Sequence, residues 1–454
     1  MPLLSINPTT GEQLASYEEM SDTDVDTAIA GAAAAFRNWR RASFGDRGAV
    51  IRKAAFELRA RKAALARLMA LEMGKPISQG DAEIEKCAVT CEYFADRAAQ
   101  LLAEEEVATD ASRSFVTFPP LGVVLGVMPW NFPFWQVFRY AAPTLMAGNA
   151  TVLKHASNVT GCAIAIEEIF QAAGAPSGLF CTLRLGSSRV DRVIDDPRVA
   201  AVTLTGSTPA GRSVAARAGT ALKKTVLELG GSDPYVLLDD ADLASSVATC
   251  VSSRLINSGQ SCVAAKRFIC TANRAAEVEQ RFADLMRQKT IGDPLTSVDV
   301  GPLARVDLRD ELDRQVRESL QQGARAVVGG TKPDGPGAFY PPTVLTNVRK
   351  GMTAYEEELF GPVAALITVE NEHEAIRVAN DSPFGLGAAV FTRDTARGSR
   401  IAATELDAGS CFVNTFVRSD PRLPFGGIKQ SGYGRELAAF GIKEFVNIKT
   451  VWIA

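Results

Sequence analysis

A thiol, a carboxyl and an amide stand at three places in this chain where the local sequence would hold them still. Cys262 ends NSGQSC (257–262), behind a Gly-Gln-Ser turn. Once deprotonated, a thiol is the strongest nucleophile among side chains. Glu228 lies between two leucines in LELGG (227–231), at the end of an apolar run. A carboxyl there is either paired inside the protein, for example with Lys223, or engaged in proton transfer. Asn131 is bracketed by prolines in PWNFP (129–133). Its amide could cap its own turn or donate to a developing oxyanion. Taken singly, each residue has an ordinary structural alternative, and for the cysteine that alternative is an inert core position.

The rest of the composition narrows the chemistry. Only two histidines occur, His155 and His373. A zinc site or a Ser-His-Asp triad is therefore not expected, no metal is predicted, and a general base must be sought among carboxylates. The eight cysteines contain no CxxC pair and form no disulfide framework. The net charge of −3 carries no long single-sign run, which argues against a nucleic-acid partner. No apolar run reaches the ~18–20 residues of a membrane span. The opening MPLLSINPTTGEQ lacks the basic and apolar regions of a signal peptide, so a cytoplasmic protein is expected.

The elements that must position these residues alternate. Residues 22–72 are alanine-rich with charges at helical spacing; Asp22 and Ser43 are expected N-caps and Gly74 a stop. A helix continues over 81–103. RSFVTF and VVLGVM read as two strands around Pro119-Pro120. Strands at 150–154, 199–206 and 225–231 then alternate with helices at 161–174, 208–219 and 241–256. Further strands fall near 265–271, 363–369, 387–392 and 410–414. This is an α/β pattern with mostly parallel sheets.

PWNFP, LELGG, NSGQSC and EELFGP (357–362), with PFGG (424–427), occur in an order and at intervals that resemble the aldehyde dehydrogenase superfamily. The resemblance runs from INPTTGE near the N-terminus to the last residues. It implies two Rossmann-like parallel-sheet domains plus a small β domain for oligomerisation. The implied divisions are an NAD(P)-binding domain at 1–106 and 127–230, a catalytic domain at 231–428, and bridging segments at 107–126 and 429–454. It also implies roles: Cys262 as nucleophile, Asn131 as oxyanion donor and Glu228 as the base that activates the hydrolytic water. A coenzyme A-acylating relative would not need that base. For the cofactor it implies Pro129, Trp130, Lys154, Ser157, Gly206, Ser207, Leu229, Glu358 and Phe360. TGSTPAG (205–211) would present Gly206 and Ser207 to a pyrophosphate at a helix start.

Substrate choice centres on Arg139, eight residues after Asn131. If a helix follows Pro133, two turns bring Arg139 onto roughly the same face as the amide, where it could clamp a carboxylate in a bidentate pair. WQVFR and FVRSDPRLPFGG (416–427) resemble the short bacterial succinate-semialdehyde branch, in which Ser419 would also hold the carboxylate. Some animal relatives carry a second arginine where this chain has Ile256. Oxidation of succinate semialdehyde is therefore expected, with a broad-range or glutarate-semialdehyde enzyme as the alternative. A binding protein that has kept the fold without catalysis is a further rival, opposed by the joint presence of Cys262, Asn131, Glu228 and Glu358. Aldehyde dehydrogenases that prefer NAD often carry a glutamate three residues after the strand-end lysine. Here that position is Ser157, beside Lys154, so NADP is expected to be preferred over NAD. The apolar strands RSFVTF and FVNIKTVWI predict a homo-dimer or homo-tetramer, since they would otherwise remain bare edges.

Overall fold

The computed structural model describes residues 2–454. Two large parallel sheets organise it. The first runs Gly432–Tyr433, Lys224–Glu228, Val199–Thr205, Val123–Met128, Ala150–His155, Phe180–Thr182. Four of its pairings are parallel, and only Gly432–Tyr433 joins antiparallel. The second runs Arg325–Val328, Thr343–Thr346, Val363–Val369, Arg267–Thr271, Pro234–Leu237, Gly387–Phe391, Ser410–Val413. It is parallel except at the Arg325–Val328 edge.

The second sheet shows why its strands are apolar throughout. Val236, Ile269 and Val390 enter the core on one face. Their chain neighbours Tyr235, Leu237, Phe268, Cys270 and Phe391 enter the core on the other. With side chains alternating and both faces covered, no polar period survives in the sequence.

Local signals are mostly obeyed. Ser43 caps Phe44–Ala60 with a reciprocal bond to Asp46, and Gly74 ends Lys62–Met73 in the left-handed conformation, φ 76°. Two expectations need correction. The first helix is capped by Ser21, whose hydroxyl accepts from the Asp24 N–H, so Asp22 is its first helical residue. A serine can bond the third residue along while its own backbone stays extended; Asp22 instead favours the helix dipole from inside the first turn. The expected helical run through 72 is two helices, broken at Arg61.

The expected bridging segments also shift. A three-stranded antiparallel sheet pairs Lys449–Ile453 with Arg113–Thr117 and then Glu105–Glu106. However, Val123–Met128 lies inside the first large sheet, so a boundary between 126 and 127 would cut a central strand. Gly432–Tyr433 likewise pairs with Lys224–Glu228 rather than with the small sheet. The segments that leave the main body begin and end within loops, because a paired strand interior cannot give up its ladder bonds cheaply. Among the described residues, no helix is long and apolar enough to cross a membrane.

Candidate active site

Five sequence segments separated by up to several hundred residues meet where the carboxyl end of the first sheet faces the amino end of the second: PWNFP and LELGG close Val123–Met128 and Lys224–Glu228, while NSGQSC and EELFGP lead into Arg267–Thr271 and Val363–Val369. Trp130 of PWNFP packs edge-on against Phe360 of EELFGP, with ring centroids 5.8 Å apart. Gly259 of NSGQSC lies so close to Gly361 that an added Cβ would sit 2.3 Å from its backbone. The Gly231 N–H of LELGG donates to Glu358 Oε1 at 3.1 Å. A Cβ on Gly426 of PFGG would fall 2.6 Å from Glu228 Oε1. Glycine is required at these contacts because backbone itself is the surface in contact.

The nucleophile loop is held by strain and by cations. Asn257 and Ser258 adopt left-handed backbone, φ 53° and 56°, ahead of Gly259 at φ 79°. Such conformations persist in non-glycine residues only where surroundings over-determine them. Lys266, with a fully buried side chain, supplies part of that determination. Its ammonium donates to the carbonyls of Ser261 at 2.9 Å and Cys262 at 2.7 Å, and pairs with Glu358 at 3.1 Å. Burial pushes the Cys262 thiol up to about 11, while Arg139 and Lys266 pull it back. Among the described residues, the Cys262 N–H has no hydrogen-bond partner.

Asn131 is buried and oriented from both sides. Its Oδ1 accepts from Gln136 Nε2 at 2.9 Å, which fixes the amide so that Nδ2 is the donor. One Nδ2 hydrogen goes to the Gln260 carbonyl at 3.0 Å. The other has no partner among the described residues. Asn257 Nδ2 also reaches the Asn131 carbonyl at 2.7 Å, tying the amide segment to the nucleophile loop.

Glu228 forms a buried cluster with Arg139 and Glu436. Arg139 pairs with Glu436, and both side chains are almost wholly buried. Burial, then the neighbouring Glu436, holds the Glu228 carboxyl well above the usual range, with Arg139 and Arg435 opposing. Glu436 is raised by the same burial.

A cavity of about 260 Å³ opens beside Cys262, walled by Phe132, Trp135, Arg139, Ile256, Phe416 and Phe425 among others, with Ser419 at its rim. Arg139 reaches the thiol's cavity from the helix Trp135–Ala147; Asn131 precedes that helix, so the two do not share a helical face. The expected bidentate clamp needs correction. Nε faces Glu436 and Nη2 donates to Thr205 Oγ1 at 3.1 Å, so only Nη1 is uncommitted. A second, outer cavity of about 450 Å³ shares Lys86, Phe132, Trp135 and Ile256 with the first.

The nucleotide residues gather at the end of the first sheet. Lys154 is the fifth residue of Ala150–His155 and is only 8% exposed. Burial lowers its ammonium, with Glu19 opposing, and it makes no ion pair. Ser157 opens a single 3₁₀ turn, Ser157–Val159, and its hydroxyl caps nothing. The helix that follows is served instead by Glu72, whose carboxylate accepts from the Gly161 and Cys162 N–H groups at 3.0 Å each. Ser207 caps Thr208–Thr220, and the Gly206 N–H donates to the Glu228 carbonyl at 3.0 Å. Leu229 packs on Gly211 at the start of the same helix.

Residues 2–451 match the sequence profile of the aldehyde dehydrogenase family. The chain belongs to that family. It is 50% identical over 455 residues, all of both chains, to a Synechocystis protein named "Probable succinate-semialdehyde dehydrogenase, NADP(+)". It is 46% identical to the Escherichia coli succinate semialdehyde dehydrogenase, NAD(P)+, Sad, covering 99% of this chain and 97% of that one. A solved succinic semialdehyde dehydrogenase from Streptococcus pyogenes, in complex with NADP+, superposes with TM-score 0.97 at 37% identity over 99% of both chains.

The helix expected over 81–103 begins four residues earlier and carries a polar face that organises the site. The helix Ile77–Leu101 presents Gln79, Glu83 and Lys86 on one face. Gln79 Oε1 accepts from the Asn257 N–H at 2.6 Å. Glu83 Oε1 accepts from the Phe134 and Trp135 N–H groups, both at 2.9 Å, and caps the helix that carries Arg139. Lys86 Nζ donates to Ser419 Oγ at 2.7 Å. The available signal was polar residues at i, i+4 and i+7 in a helix whose other turns bury alanine, cysteine and phenylalanine. His155 was also passed over: its Nε2 meets the Pro133 carbonyl at 2.9 Å, joining the nucleotide strand to PWNFP.

Proposed function

We propose that the protein oxidises succinate semialdehyde to succinate, with NADP preferred and NAD accepted. The observation that carries this reading is the Cys262 cavity, whose mostly apolar wall also holds the polar groups of Arg139 and Ser419. An aldehyde four carbons long with a terminal carboxylate matches that division between apolar wall and polar end. The names of the relatives in Synechocystis, Escherichia coli and Streptococcus pyogenes support the same substrate and cofactor.

The residues fit an NADP cofactor. Lys154 offers a buried cation without an ion pair, and Ser157 a hydroxyl without a partner, as a 2′-phosphate needs. Gly206 and Ser207 lie at the helix start suited to a pyrophosphate, and Pro129, Trp130, Leu229, Glu358 and Phe360 border the path toward Cys262. When bound, NADP supplies the hydride acceptor. Cys262, as thiolate, attacks the aldehyde carbon. The oxyanion is held by the second hydrogen of Asn131 Nδ2 and by the free Cys262 N–H. After oxidation the substrate is a Cys262 thioester. Glu228, having lost its proton, takes one from water, and that water releases succinate and the thiol.

The first large sheet is assigned to the nucleotide, the second to catalysis and the small sheet to subunit bridging. Trp452 and Ile453, on the outer strand of the small sheet, are 53% and 45% exposed. That unpaired apolar edge supports a homo-dimer or homo-tetramer, closed by a second copy. The cytoplasm belongs to the same proposal, since Cys262 must stay reduced to act.

Glutarate semialdehyde is a second reading, favoured by the outer cavity that continues past Ile256. One experiment separates these. With NADP+, kcat/KM for succinate semialdehyde should exceed that for butanal by at least about tenfold, the worth of one charge-assisted contact. Equal values would defeat the acid-aldehyde reading, and a higher value for glutarate semialdehyde would move the assignment to the longer acid.

A further inference from the structure

Four cations border the two connected cavities, and three are already answered. Arg139 is paired with Glu436. Lys289 lies 3.0 Å from Asp299. Arg418 is exposed, so water screens it. Lys86 differs from all three. It is part-buried, borders both cavities, and places Nζ 4.1 Å from the Trp135 ring centroid. Among the described residues no carboxylate oxygen lies within ion-pair distance of it.

The two acids nearest Lys86 are committed elsewhere. Glu83, on the same helix, pairs with Lys75 and accepts from the Phe134 and Trp135 N–H groups. Asp420, on the facing loop, pairs with Arg422 at 2.7 Å. Burial, then Arg139, brings the Lys86 ammonium down to about 8, against the pull of Cys87, Glu83 and Asp420. This ammonium has lost much of its water and gained a hydroxyl and an aromatic face, but no counter-ion. Ser419 Oγ accepts from Lys86, so its own proton is free to point at the same ligand.

We propose that Lys86, through Ser419 beside it, supplies the positive charge that selects aldehydes bearing a carboxylate. The substrate's carboxylate would be the missing counter-ion. Arg139, neutralised by Glu436, would then contribute at most one N–H. This rests on the acid-aldehyde reading above, and the test keeps the two apart.

The experiment compares kcat and KM for succinate semialdehyde and butanal in the wild type, K86M and K86R, with K86Q as a second neutral variant that keeps a donor for Ser419. The wild-type preference for succinate semialdehyde, expressed as a ratio of kcat/KM values, should fall about 10- to 100-fold in K86M and K86Q. The loss should lie mainly in KM, since the carboxylate is bound alike before and during the reaction. K86R should restore most of the ratio. Equal losses on both aldehydes, or a ratio retained in both neutral variants, would overturn the role of Lys86. A wild type without any preference would instead overturn the acid-aldehyde reading.

Discussion

The Lys154–Ser157 turn sits at the carboxyl end of one parallel strand and the Cys262 loop just ahead of the amino end of another, and they use polar groups in opposite ways. In the loop, the buried cations are spent on the protein itself: Lys266 bonds two carbonyls and Glu358, and Arg267 bonds the carbonyls of Ser232, Val378 and Ala379. In the turn, the Lys154 ammonium and the Ser157 hydroxyl have no hydrogen-bond or ion-pair partner among the described residues, and Glu72 serves the helix start beside them. The loop's cations hold a shape that must not move during bond making. The turn's groups wait for a ligand. Whether a polar group is already satisfied therefore separates scaffold from binding residue better than burial, since Lys154 and Lys266 are both buried.

The largest effect should follow from breaking the satisfied side. Lys266→Met leaves two buried carbonyls without a donor and Glu358 without its cation. A stability loss of about 3 kcal/mol or more is expected, read from urea unfolding, with kcat down at least about tenfold. Affinity for adenosine 2′,5′-bisphosphate, which probes only the Lys154–Ser157 turn, should stay within about twofold. If that affinity falls as far as kcat, the two regions are not separable in this way.

A smaller effect should follow from filling the open side. Ser157→Glu sets a carboxylate against the 2′-phosphate, and kcat/KM with NADP should drop about 10- to 100-fold while the value with NAD changes by less than about threefold. An unchanged cofactor ratio would mean that the turn does not hold the phosphate.

The smallest effect concerns His155, which links the two regions. Burial holds its imidazole down to about 4, and Nδ1 accepts from the Ala156 N–H at 2.9 Å, which requires the neutral ring. Because the folded value lies below the ordinary imidazole value of 6.5, its stabilisation is complete above pH 6.5 and is lost as pH falls toward 4. Between pH 7 and 5 the wild type should lose about 2 kcal/mol that His155→Phe does not lose. Parallel pH profiles of urea unfolding for the two proteins would show that His155 is not the titrating group.

The alternation of strands and helices was legible because each element is long enough to carry its own period. The stop at Gly74 was legible because only glycine takes that backbone angle without strain. The split at Arg61 was not, since alanine-rich sequence on both sides offers no stop signal. PWNFP, LELGG, NSGQSC and EELFGP could be named as a set from their order, and so could the residues within them that have functional chemistry.

Which of those residues is free to act was decided only by the fold. Arg139 stood at the right spacing, but Glu436, almost three hundred residues later, occupies part of its guanidinium. Ser157 keeps its hydroxyl unspent because Glu72, from a distant helix, serves the helix start that follows it. Lys86 showed no motif at all, and its importance depends on Ser419 being brought to it from the far end of the chain. The physical reason is common to all three. A sequence states what a side chain can donate, accept or carry as charge, whereas the partners that consume that capacity come from segments remote in the chain and are assigned only when the chain packs.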